Sequence, residues 1–450
     1  MKRLVWATIL TFSFGATEFG SVAELRAENG LRTGAAAVNL KAEDSMVIGG
    51  GIGPGLTQGQ EGELRAVATV IEKQGSPKVA IVACDVLMLN RDILDVAVAE
   101  IEKKTGIPAA GILINCTHTH HAPSTVTVHG YQRDEEFCRR VQQGIIEAVV
   151  AANAKLEGGD STFNFWLGEE SSVGQNSRLL LADNTIFWIG PRDDTVRPTG
   201  PFDPQLPVLA FRSPDDKLRA LLFNHSTHTI GTRKPVRSPS FYGLASQELE
   251  SELGGTVLFL EGASGSTHNL VIQADEMIVR MKNAVRSALA QAQPRPVNSI
   301  KALKKPFKFH VRKFDEAVED TKVGVYCRRR APAGADQIIN VFRKQREVLA
   351  PHQGEERETW LQAVVIGDVA LVGVPAEFFT KLGQDIKLRS PYRYTYVAEL
   401  ANDWIGYLPD RQAHELGGYQ TWTGLHSYAE PGTGEAVVDA VVAMLNELHE

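Results

Sequence analysis

Two short apolar runs on either side of an amphipathic helix constrain the fold of this chain more than any other feature. Val79–Cys84 (VAIVAC) is continuously apolar and bounded by Pro77 and Asp85, the pattern of a strand buried on both faces. Arg91–Lys104 follows, with Leu94, Val98 and Ile101 at helical spacing, and Gly106 and Pro108 end it. Gly111–Cys116 (GILINC) is a second buried strand. A strand–helix–strand unit implies parallel neighbours joined by a right-handed crossover.

The alternation continues. A helix is predicted over about Asp134–Leu156, with Phe137, Val141, Ile145 and Val149 on one stripe. Strands are predicted at Phe163–Leu167, Thr185–Ile189, Leu206–Phe211, Ala220–Asn224 and Thr256–Leu260, then a helix at Ile272–Gln291. Later strands fall at Leu361–Ile366, Val369–Val374 and Thr395–Glu399, with helices near Glu377–Leu388 and Glu435–Leu448. This order predicts an α/β fold, a layered α/β sandwich with a mixed, largely parallel sheet. Phe314–Trp360 is charge-rich and reads as a lobe or insertion, with Arg328, Arg329 and Arg330 as solvated surface. No internal repeat or low-complexity linker demands separate domains.

With 47 Lys+Arg against 54 Asp+Glu, the net charge of −7 gives no electrostatic footprint for nucleic acid. Four cysteines are too few for a disulfide scaffold. Cys84 and Cys116 read as buried thiols; pairing of Cys138 or Cys327 stays open. At the N-terminus, Lys2 and Arg3 precede an apolar run to about Gly15, and Ser21-Val22-Ala23 supplies small residues for cleavage. Residues 1–23 therefore read as a signal peptide, and 24–450 as an exported chain, periplasmic or secreted. No other stretch approaches membrane-spanning length. The Gly-rich run Gly49–Gly55 is interrupted by Pro54 and lacks a following helix, so it reads as a loop bordering a substrate entrance rather than a phosphate cradle.

Chemistry concentrates at strand ends, where open α/β sheets place their sites. Asn115-Cys116-Thr117-His118-Thr119-His120-His121 closes the second buried strand. In extended backbone His118 and His120 face one point and His121 faces away. Such a pair makes either two metal ligands or one ligand beside a proton carrier. Asn224-His225-Ser226-Thr227-His228 closes another apolar strand, with a parity that turns at most one histidine to the site. His310, His352, His414, His426 and His449 read as surface residues, and His129 stays open. A metallo-β-lactamase run would need Asp and His where Ala122 and Pro123 stand, and the strands from Leu361 to Val374 do not fit an eight-fold amidohydrolase barrel.

Thr117-His118-Thr119-His120 followed by Pro123 resembles the motif of the neutral/alkaline non-lysosomal ceramidase family. Val369–Glu377 (VALVGVPAE) is similar to that family's strand ending in Pro-x-Glu, and Asn402–Tyr419 to its late segment with two tyrosines. Phe259–Ala263, Asn176–Arg178 and Asp203–Gln205 fill weaker blocks in between. The resemblance implies a catalytic zinc held by His118, His228, Glu377 and Tyr407. It also implies a proton-handling His120, a transition-state Tyr419 and a substrate-contacting Arg178. Read alone, Glu377 would be a glutamate in a helix first turn, and the tyrosines rim packing.

The sequence departs from the family where Ser266 replaces an aspartate and His268 a smaller polar residue, which suggests an altered substrate cleft formed by Ser266 and His268. The resemblance stops before the family's immunoglobulin-like C-terminal domain. It implies zinc-dependent hydrolysis of an N-acyl amide of a small-molecule or lipid substrate. An ester or lactone substrate, or a non-catalytic zinc- or ligand-binding homologue, are the other readings.

Overall fold

The computed structural model describes residues 30–450; the leader-like segment 1–23 lies outside the described residues. Three sheets, each with helices on its outer face, pack their inner faces on one another. The first contains Leu31–Asn39, Arg65–Lys73, Val79–Cys84 and Ile112–Cys116 in that order. Its outer face is covered by helices Arg91–Thr105 and Glu135–Ala154. The buried run Val79–Cys84 shows why a continuous apolar stretch is needed. Val79, Ile81 and Ala83 enter the core between sheets, while Ala80, Val82 and Cys84 face the helices.

The second sheet runs Thr256–Glu261, Leu218–His225, Gln205–Arg212, Thr162–Glu169, Gln293–Arg295, with helices Ser240–Leu253 and Ala274–Gln291 outside. The third runs Ile300–His310, Glu356–Ile366, Val369–Gly373, Tyr394–Ala398, against helices Thr380–Arg389 and Thr433–His449.

The layered α/β architecture with mixed sheets agrees with the expectation; the largely parallel pairing does not. Each large sheet holds one parallel pair, and its other pairs are antiparallel. Apolar strands flanked by packed layers on both sides look alike in either direction, so the sequence pattern does not reveal strand polarity. Ile300–His310 escaped detection because it is an edge strand, with lysines and Pro306 interrupting its apolar pattern. Thr185–Ile189 forms no strand, and Glu377–Phe378 is a two-residue strand preceding the helix that begins at Thr380. All four cysteines are free and buried. Among the described residues no helix is long and apolar enough to cross a membrane.

The charge-rich region folds as two helices, Glu316–Arg330 and Ala335–Leu349, before the strand from Glu356 begins. Its arginines are not simply solvated. Arg329 pairs with Asp183 at 3.0 Å, and Arg330 grips Asp194 with both terminal nitrogens at 2.9 and 3.2 Å. The Tyr326 hydroxyl accepts from the amides of Trp188 (2.6 Å) and Ile189 (3.2 Å). The helical pair therefore clamps the 183–194 loop. Tyr326→Phe removes an acceptor from two backbone donors and is expected to cost about 1–2 kcal/mol in urea unfolding; an unchanged midpoint would show that the loop is held without it.

Candidate metal centre and cavity

The chain brings the donor atoms of five sequence-predicted residues to one point. The strand Ile112–Cys116 ends just before His118, which adopts a left-handed backbone at φ 58°. The two motif histidines thus converge through a turn and not through continued extension, a correction to the strand-parity argument. Their Nε2 atoms stand 3.3 Å apart. His228 follows strand Leu218–His225; its Nε2 is 3.6 Å from Glu377 Oε2, and His118 Nε2 is 3.7 Å from the same oxygen. Ring nitrogens of His118, His120 and His228 all lie within 4.8 Å of one another. Glu377 and Tyr407 are register partners in a two-strand parallel ladder, and the Tyr407 hydroxyl lies 3.2 Å from His228 Nε2. Glu377 is therefore a strand residue of the site, not a helix-turn glutamate.

The outer ring nitrogens decide what this point can hold. His118 Nδ1 faces the Leu87 carbonyl at 3.0 Å, His228 Nδ1 that of Ser264 at 3.0 Å, and His120 Nδ1 that of Gly50 at 3.1 Å. A carbonyl only accepts, so each Nδ1 carries the proton and each Nε2 turns a lone pair inward. Burial, with the His228 ring beside it, holds His118 down at about 4, and burial holds His120 well below its ordinary value. Burial pulls the Glu377 carboxyl upward, while the imidazoles of His228 and His118 and the Tyr407 hydroxyl beside it pull it down, so it stays low. Among the described residues no lysine or arginine pairs with this buried carboxylate. Converging lone pairs and an uncompensated anion call for a cation, and nitrogen with carboxylate oxygen is a donor set that suits zinc.

Two glycines make the arrangement possible. A Cβ on Gly50 (φ 103°) would sit 2.7 Å from His120 Nδ1, so the Gly-rich loop must lie bare against that ring. A Cβ on Gly265 would lie 2.3 Å from the Glu377 carbonyl.

A cavity of about 330 Å³ opens from the centre. Tyr419 forms part of its wall, stacked on Trp188 with ring centroids 4.4 Å apart and with its hydroxyl 3.1 Å from His129 Nε2. Burial foremost, then the Glu377 charge, raises the Tyr419 and Tyr407 hydroxyls well above their ordinary value, so Tyr419 stays a proton donor. Gly50, Gly51 and Ile52 border the cavity, as expected of the Gly-rich loop.

His268 lines the same cavity, stacked on His228 at 5.3 Å. Ser266 does not: its hydroxyl accepts from the Thr380 amide at 3.1 Å and holds the start of a helix. Arg178, 2 % exposed, also lies behind the lining, its guanidinium donating to Gln420 and to the carbonyls of Ala413 and Gly417. It braces the turn that carries Tyr419 and makes no contact with the cavity space. His225 is turned away to Tyr242 and the Glu170 carbonyl, in line with the expectation that at most one of the pair would face the site. His426, expected on the surface, is buried and stacked on Tyr419 at 4.9 Å. Trp188, His129 and His426 carry no local sequence signal; only tertiary packing brings them to Tyr419.

No family model matches the chain, and no curated protein matches it. Solved structures do. A crystal structure of neutral ceramidase from Pseudomonas aeruginosa superposes with a TM-score of 0.69 at 18% identity, covering 93% of this chain and 75% of that one. The chain has the neutral ceramidase fold. A ceramidase complexed with C2 is similar at a TM-score of 0.71 and 17% identity, covering 94% and 76%.

Within this ceramidase fold the buried imidazoles couple stability to pH. Burial depresses His121 and His129 from 6.5 to about 4, so the unfolded chain takes up protons that the folded chain refuses. That contribution is complete above 6.5 and lost as the pH falls toward 4. Chelator-treated protein should show a urea midpoint that drops steadily between those limits; a flat profile would contradict the depressed values.

Proposed function

We propose that the chain is an exported zinc-dependent hydrolase that cleaves N-acyl amide bonds. The observation that carries this reading is the convergence of His118, His228, Glu377 and Tyr407, with His120 and Tyr419 facing the same cavity. The fold shared with ceramidases supports an amide as the scissile bond, and a ceramide-like lipid amide is the reference substrate. His118, His228, Glu377 and Tyr407 would hold the metal. Zinc supplies Lewis acidity, polarising a carbonyl and acidifying water.

The chain's own groups supply the remaining steps. His120 presents an unprotonated Nε2 to the centre, held in that tautomer by the Gly50 carbonyl. It takes the proton as water oxygen bonds to the amide carbon, then returns it to nitrogen as the carbon–nitrogen bond breaks. The Tyr419 hydroxyl would donate to the developing oxyanion; His129 Nε2 stands 3.1 Å from the phenol oxygen, and in the tautomer with the proton on Nε2 it donates there and leaves the phenol proton for the cavity. Stacking on Trp188 and His426 fixes the phenol ring.

The test separates metal binding from proton transfer. His118→Ala should lose both zinc and turnover, while His120→Ala should retain zinc by atomic absorption yet hydrolyse no N-acyl amide. Tyr419→Phe should lower kcat by about 10²–10³. Normal turnover in either histidine variant would refute the division of labour, and matched ester and amide substrates would settle which bond is preferred. Export rests on the leader-like segment at residues 1–23. N-terminal sequencing of protein recovered outside the cytoplasm should begin near Glu24, and an intact Met1 there would reject it.

A further inference from the structure

The catalytic groups occupy one part of the cavity and leave a cationic feature unused. Among the described residues the lining contains four imidazoles and the Arg192 guanidinium but no aspartate or glutamate. Arg192 lies 4.3 Å over the Phe187 ring, and no carboxylate among the described residues pairs with it. Its neighbour Asp194 is already taken by Arg330. The turn presenting it is built: the amide and hydroxyl of Thr195 both donate to the Arg192 carbonyl, at 3.2 and 2.7 Å, and Arg330 also donates to the Pro191 carbonyl.

A guanidinium braced on an aromatic face, inside a cavity without acidic side chains, suits a planar anion that it can bind with two parallel hydrogen bonds. At about 330 Å³ the space is also at the lower end for small-molecule sites, so a two-chain lipid would leave most of its length outside. We propose that the cavity selects N-acyl amides bearing a carboxylate, of the N-acyl amino acid class, with Arg192 binding the carboxylate while the amide lies between His120 and Tyr419. This rests on the hydrolase reading for the bond cleaved. The anion preference itself stands on Arg192 and the acid-free lining.

The experiment compares N-octanoylglycine with N-octanoylethanolamine, which replaces the carboxylate by a neutral hydroxymethyl group, on the zinc-loaded protein. The glycine conjugate should be favoured by about tenfold or more in kcat/KM, chiefly through KM, and high salt should narrow the ratio. Arg192→Gln should collapse the ratio and Arg192→Lys restore part of it, a charge dependence that a purely structural residue would not show. Equal kcat/KM for the two amides, or a ratio untouched by Arg192→Gln, would overturn the proposal. Should neither amide be hydrolysed, the hydrolase reading fails separately. Calorimetric titration of N-octanoylglycine then decides: affinity lowered about tenfold by Arg192→Gln keeps the carboxylate site, and equal affinity removes it.

Discussion

A buried polar seam where three sheets meet holds the rest of the structure in register. Asn115 donates to the Glu399 carbonyl and accepts from the Glu261 amide, while Asn224 donates to the carbonyls of Leu260 and Val397 at 2.9 Å each. One amide side chain from the first sheet and one from the second thus stitch strand ends of all three sheets together. Such a network is stabilising only when its members are satisfied, which makes the relative placement of the sheets close to all-or-none. The Glu399 carboxyl extends the seam, accepting from the amides of Ser264 and Phe378. Those are the segments that pin His228 and carry Glu377.

The seam explains why the donors meet. His118, His228 and Glu377 each lie within a few residues of a strand end that it ties down, and Tyr407 is drawn in by its ladder with Glu377. Burial first, then the Glu399 charge, pushes the Glu261 carboxyl well above its ordinary value, and burial does the same to Glu399. Both carboxyls act as hydrogen-bond acceptors that tie the surrounding segments together. Backbone carbonyls on the outer ring nitrogens then orient three imidazoles inward. A rigid polar frame behind these donor atoms gathers them at one edge of a small cavity.

Much of this was legible in the residues. Val79–Cys84 and the helix over Arg91–Lys104 were readable because periodicity reports local burial. The site residues on strand ends were readable because His-x-His after an apolar run is rare without a reason. Ser266 and Arg178 show the limit. Both stand in motif positions, yet packing turns Ser266 to a helix start and Arg178 to the turn beneath Tyr419. The arginine run in the helical pair looked solvated because its partners, Asp183 and Asp194, lie more than a hundred residues away. His426 looked exposed for the same reason.

By itself, the sequence determined the residue types, the strand–helix alternation, and the strand ends at which histidines and Glu377 would appear. Those properties are local, set by side-chain period and backbone sterics within a few residues. Only the tertiary structure decided that positions 118 and 228 stand 3.6–3.7 Å from one carboxylate oxygen of Glu377. It alone set which ring nitrogen carries the proton, and that Arg192 faces the same cavity with no acid among the described lining residues. These are distances and orientations between segments far apart in the chain. They are fixed by sheet register and by hydrogen bonds across sheets, which no local pattern encodes.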